Sequence, residues 1–235
     1  MASLRETKNE IMKNGIADYT CRPELEVLED AVVREIRTSE NFSQRTSQLS
    51  FQLEYLYKNW RLFVELWDSE TIPAWNKIGS LAEAHLHRAL LVYVVTLCCQ
   101  LCDCLEQASS IKSLHKKCID PYLKSGPFKS YYMPLYQEIL EKYAPFRNLR
   151  NKLIAHQDHN WLNGELNAAQ EYQQTRETDG SFTHNQLSNL ITLLSYYVNL
   201  CNLIDGRSIK EYGADTSNME GVEEIRKALI GKSAR

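Results

Sequence analysis

Glycine and proline are scarce in this 235-residue chain, at 9 and 6. So few turn formers disfavour an all-β fold, which needs a break about every 8–12 residues. A surplus of positive charge is missing too: 27 lysines and arginines face 30 acidic residues, for a formal net charge of −3. Non-specific binding of nucleic acid would therefore have to come from a local patch. The opening residues, Met1-Ala2-Ser3-Leu4-Arg5-Glu6, lack the apolar centre of a signal peptide. The most apolar run, Ala89 to Cys99, meets Gln100 and Asp103, well short of the roughly 20 residues that span a bilayer. These absences set the expectation of a cytoplasmic protein with no membrane partner.

The chain also has no Gly-rich phosphate loop, serine–histidine–aspartate pattern or zinc-protease motif. It lacks the paired Glu-x-x-His motifs of metal-bearing helix bundles. Its seven cysteines are an odd number, and Cys98, Cys99, Cys102 and Cys104 crowd one apolar segment. That is not a disulfide framework. Cys98 and Cys102 share a helix face, but zinc pairs normally come from turns and need two further ligands. Small core residues are the better reading, and no cofactor is expected.

What the chain does have is helical periodicity. Leu25, Leu28, Val32 and Ile36 follow Pro23, which suits a helix entry. Leu49, Leu53, Leu56, Trp60, Phe63 and Trp67 step by fours and threes. Phe51, Tyr55, Leu62 and Leu66 widen that stripe and predict a largely buried helix. Leu81 to Ala108 holds neither glycine nor proline and is apolar nearly all round, as a central helix would be. Short helices are expected over Ser109–Ile119 and Ser130–Tyr143, and Pro145 should restart the chain in a new helix from Phe146 to His156. Residues 160–180 are polar and aperiodic, which suits a long loop or a weak helix. Thr183-x-x-Gln186 resembles a capping box and opens a periodic helix through Ile204, stopped by Gly206. Met219 to Ile230 is weakly amphipathic. The expected fold class is all-α.

The segment Phe146-Arg147-Asn148-Leu149-Arg150-Asn151-Lys152-Leu153-Ile154-Ala155-His156-Gln157-Asp158 carries the chemistry. From Lys142 to Gln157 there are four cationic side chains and no acidic one. Arg147 and Arg150 share a helix face, and the guanidinium fork suits phosphate oxygens. His156 titrates near neutrality and can give or take a proton. Together they form the minimum kit for cleaving RNA without a metal. Arg150 and His156 are six residues apart, however, which sets them roughly 120° apart on an ideal helix. They could address one phosphate only from a helix end or from a cleft shared between subunits. The plainer alternative is a set of caps and surface ion pairs.

Arg150-Asn151-Lys152-Leu153-Ile154-Ala155-His156 resembles the signature of the HEPN superfamily: an arginine, a polar residue that is commonly asparagine, then a histidine after a short gap. With Asp158 following, it is most similar to the abortive-infection branch of bacterial HEPN proteins. The resemblance implies a four- or five-helix bundle over residues 81–206; residues 1–80 lie outside what it explains and are expected to form additional N-terminal helices packed on the bundle, with a weakly helical tail over 207–235. It also implies a homodimer whose two motifs line one cleft. Many such proteins are metal-independent endoribonucleases acting as toxins or antiphage effectors, some opposed by an antitoxin or regulatory protein; others are non-catalytic.

Carried onto this chain, Arg150, Asn151 and His156 would be catalytic, and Arg147, Lys152 and Asp158 would bind the RNA substrate. Asp103 or Glu106 would pair with Arg150 from another helix. The alternative function is a non-catalytic dimeric module that binds a partner protein or a nucleotide. Trp60, Trp67, Trp75, Tyr131, Tyr132 and Tyr136 could stack on bases, but their helical spacing reads as core. Lys112, His115, Lys116 and Lys117 form either an extension of an RNA-binding face or an ordinary solvated one.

Overall fold

A computed structural model describes residues 23–66, 71, 73–75, 80–103, 109–155, 184–212 and 220–233. The described residues are almost wholly helical and contain no strand, as the periodicity requires. Two short helices, α1 (Leu25–Glu29) and α2 (Ala31–Arg37), meet at Asp30, whose carboxylate accepts from Val32 N at 3.1 Å and caps α2. Four long helices follow: α3 (Phe42–Leu66), α4 (Ser80–Cys102), α6 (Pro127–Ala155) and α7 (His184–Ile204). Between α4 and α6 lies α5 (Ile111–Leu114), continued by a π-helical turn over His115–Ile119 and a 3-10 turn over Asp120–Tyr122.

The long helices close a ring in which α3 packs on α4, α4 on α6, α6 on α7 and α7 back on α3. The region before residue 80 thus supplies one wall of the core. A last helix, α8 (Glu220–Ser233), lies against α3, with Leu229 joining Leu66, Ala74 and Trp75 in a second small core.

Burial follows the stripes. On α3, Leu49, Leu53, Leu56 and Phe63 are buried; on α7, Leu187, Leu190, Ile191, Leu194, Tyr197, Leu200 and Ile204 are. Helix α7 stops as expected, with Gly206 at φ 79°. Arg207 N donates to Asn202 O at 2.7 Å, the six-to-one bond of a Schellman cap. The window Asn185–Ile204 is long and apolar enough to cross a membrane, yet 78% of it is buried inside the bundle.

Three expectations are corrected. Pro145 does not restart the chain: α6 runs unbroken from Pro127 to Ala155 through Pro134 and Pro145. A proline inside a helix removes one backbone bond and costs about 3 kcal/mol. Tyr132, Leu135, Ile139, Tyr143 and Phe146 form one buried stripe that passes Pro145. Only a continuous helix keeps Tyr143 and Phe146 on the same face, and burying them outweighs the missing bond. Helix α4 is not central either. Leu91, Val94, Val95, Cys98, Leu101 and Cys102 face the core, but Leu86 and Tyr93 face out, because a ring of helices leaves each one a solvent side. Finally, Phe51 and Tyr55 are not buried; they are 76% and 46% exposed. Phe51 is two residues from both Leu49 and Leu53, which puts it nearly opposite the buried stripe.

The core includes a polar chain. His115 Nδ1 lies 2.9 Å from Tyr132 Oη, which lies 3.1 Å from Tyr197 Oη. The His115 ring stacks on Tyr136 at 4.0 Å between centroids. Burial pushes the imidazole below its ordinary value, against a smaller opposing pull from Asp120, whose carboxylate is 3.9 Å from Nε2.

Candidate functional site

Two helix ends meet where the cationic segment begins. Asp103 follows the last residue of α4 and donates its backbone N–H to Cys99 O at 2.7 Å. A carboxylate there faces the negative end of the helix dipole, an unfavourable position. Two cations offset it. Arg150, near the end of α6, approaches Asp103 Oδ2 with Nη1 at 2.9 Å, and Lys112 on α5 approaches Oδ1 at 4.0 Å. Arg150 and Asp103 keep 27% and 23% of their side-chain surface, so solvent and an incoming anion can reach the pair.

Beneath the pair lies Tyr143, seven residues before Arg150 and on the same face of α6. Its ring is 2% exposed, and Lys112 Nζ stands 5.7 Å above it, within cation–π range. Its hydroxyl is buried beside Asp103 without completing a hydrogen bond of ordinary geometry. Burial first, then the neighbouring Cys99 and Asp103, push it well above the usual phenol range. Tyr143 is therefore a neutral phenol. Cys99 points to the same place and donates to Phe146 O at 3.8 Å. Burial raises its thiol to about 11, against the pull of Arg150, Tyr143 and Arg147.

Of the residues named from sequence, the structure brings Asp103 and Arg150 together and leaves Arg147 exposed on the same helix. Asn151 and Lys152 lie on α6, but their side chains, like residues Glu106, His156 and Asp158, are outside the described residues. Sequence reasoning missed Tyr143 and Cys99. The signal was present: Tyr143 is seven residues before Arg150, and Cys99 is four before Asp103.

The basic cluster divides. Lys112 joins the site, Lys116 and Lys117 face solvent, and His115 turns inward. Trp75, Tyr132 and Tyr136 are buried, while Trp60 and Tyr131 pack against the core. None of these five is a stacking platform, and Trp67 lies outside the described residues. Cys98 and Cys102 are buried core thiols. Among the described residues no group of three histidine, cysteine or acidic side chains could hold a metal ion.

The arrangement sets two cations, Arg150 and Lys112, around one partly exposed carboxylate. No family model, no curated protein and no solved structure matches the chain.

Proposed function

We infer that the protein is a HEPN-type endoribonuclease that works without a metal, as a homodimer, in a toxin or antiphage role opposed by an antitoxin or regulatory protein. The observation that carries this reading is the 2.9 Å contact between Arg150, the first residue of the motif, and Asp103 on a different helix. It presents a guanidinium that keeps 27% of its side-chain surface, in a cationic segment and held at a fixed place. Guanidinium has five donors in a rigid fork, enough to contact Asp103 and a phosphate oxygen together. In this reading Arg150 stabilises the charge that builds on the phosphorane-like transition state and Asn151 orients the phosphate. His156 transfers the proton between the ribose 2′-hydroxyl and the leaving oxygen. The product is a 2′,3′-cyclic phosphate. Arg147, Lys152 and Asp158 flank the strand.

Cleavage of single-stranded RNA by the purified protein should persist in EDTA. His156→Ala should slow it about 10²–10⁴-fold while RNA binding holds. Arg150→Lys, which keeps the charge and loses the fork, should also be strongly impaired. No cleavage by the parent, with loss of stability on removing Arg150, would sink the reading.

The same contact favours a second reading. Asp103 and Arg150 tie the end of α4 to the end of α6, as a strut would. The protein would then be a non-catalytic dimeric module that binds a partner protein or a nucleotide.

A further inference from the structure

Among the described residues, three aromatic side chains stand well outside the core. Phe51, Tyr55 and Tyr93 are 76%, 46% and 39% exposed. With Gln52, Leu97 and Gln100 they line a groove of about 250 Å³ between α3 and α4. Tyr55 and Tyr93 meet edge to face, with ring centroids 6.4 Å apart and hydroxyls hydrogen-bonded at 2.8 Å. That bond ties Tyr55, one turn along α3 from Phe51, to Tyr93 on α4. Gln52 Oε1 is buried in the wall with no hydrogen-bond partner, an acceptor in want of a donor.

The lining selects its occupant. No charged residue lines the groove, so it does not take a phosphate. Its volume lies below the roughly 300–1,000 Å³ of pockets for whole drug-sized ligands, which suits a single ring system. Aromatic faces take a planar ring, while the two amides and two hydroxyls take a ring edge that carries both donors and acceptors. A hydrocarbon would leave these groups unsatisfied. A nucleobase is neutral and planar, and its ring edge carries the N–H donors that Gln52 lacks.

Position adds a second argument. Tyr93, Leu97 and Gln100 climb one face of α4 toward Asp103. At 1.5 Å per residue, Gln100 is about 5 Å and Leu97 about 9 Å along the axis from the residue that holds Arg150. A base in the groove would lie toward the same end of α4 as a phosphate at Arg150, turned roughly 60–120° round the helix from it.

The geometry points to a stacking subsite for a base of single-stranded RNA, formed by Phe51, Tyr55 and Tyr93, toward the same end of α4 as the phosphate site at Arg150. It rests on the ribonuclease reading for its strand but makes a claim about binding alone. An uncleavable 2′-O-methyl oligoribonucleotide of mixed sequence, carrying a fluorophore, is the probe; polarisation is the readout.

A stacked base contributes about 1–3 kcal/mol, so Phe51→Ala should weaken binding roughly 5- to 100-fold. Phe51→Trp should restore it. An oligonucleotide of the same length without bases should bind parent and Phe51→Ala alike. Because Phe51 is largely exposed, both variants should keep the parent's melting temperature. Equal affinity of parent and Phe51→Ala overturns the subsite. So does light scattering in which Phe51→Ala turns a dimer into monomers, since the face would then be covered by a second copy. The two readings fail separately. Phe51-dependent binding without cleavage by the parent removes the nuclease and keeps the subsite. Cleavage in EDTA that Phe51→Ala leaves intact, with unchanged binding, removes the subsite and keeps the nuclease. A parent that binds no oligonucleotide removes both.

Discussion

A double-mutant cycle on Asp103 and Arg150 would separate the strut from the phosphate site. The perturbations are Asp103→Asn, Arg150→Gln and the pair, with urea unfolding of all four proteins. The contact is short, at 2.9 Å, but each side chain keeps about a quarter of its surface in water, 23% and 27%. Solvent screening therefore holds the coupling near the upper end of the exposed range, about 1 kcal/mol, and far below the 3–5 kcal/mol of a fully buried pair. Lys112 lies 4.0 Å from Asp103, so Arg150→Gln does not leave the carboxylate without a cation. That single change should cost no more than about 1 kcal/mol, a shift in Tm of roughly 2–4 °C in a domain of this size. Asp103→Asn removes a charge from the negative end of α4, which offsets part of the lost contact. A coupling above about 3 kcal/mol would refute this reasoning and make the pair a structural strut; one of zero would mean the two groups do not meet in solution. If the coupling is near 1 kcal/mol while RNA cleavage falls by orders of magnitude, stability cannot account for the loss.

Two further expectations follow from the core. Val95 is 1% exposed, so Val95→Asp should unfold the protein, an unpaired buried charge costing several kcal/mol against a total of roughly 5–15; a cooperative thermal transition near the parent's would contradict the fold. His115 should make stability depend on acid. Its folded pKa is lowered by burial, so just below the unfolded value of about 6.5 the unfolded chain binds a proton that the folded chain does not. The stability it contributes is whole above that value, is lost as pH falls through it, and levels off below the folded pKa. Asp120, Tyr132 and Tyr136 face the ring and stay in place in His115→Gln. Urea midpoints at pH 7.5 and 5.5 should therefore drop more for the parent than for His115→Gln, and equal drops would be inconsistent with a neutral buried imidazole.

Much of the fold could be read from spacing. The leucines of α3 and α7 repeat every three or four residues, and the same residues are buried. Where the reading failed, a local rule met a stronger non-local term. Proline ends a helix by removing one bond and crowding one carbonyl, yet Tyr143 and Phe146 on either side of Pro145 are 2% and 1% exposed. Losing a buried aromatic of that size costs about 3–5 kcal/mol, more than the proline does. Phe51 was misjudged for the opposite reason: its hydrophobicity was counted and its angle on the wheel was not. At the site, Arg150 was legible from its motif and Asp103 from its place late on α4. Their pairing partner Lys112 was legible only as charge, because no periodic signal in the sequence marks its approach to the end of α4.

The π turn that begins at His115 brings the imidazole to a row of hydroxyls that belongs to two other helices, and that row has a direction. When Nδ1 carries no proton it accepts from Tyr132, and the Tyr132 oxygen is then left to receive the proton of Tyr197. When Nδ1 is protonated the order reverses: His115 donates to Tyr132, and Tyr132 donates to Tyr197. Either orientation satisfies each contact in the row. In the tautomer that leaves Nδ1 bare, one proton taken up at the edge of the bundle thus reverses the polarity of two bonds inside it, like a points lever setting a line of track.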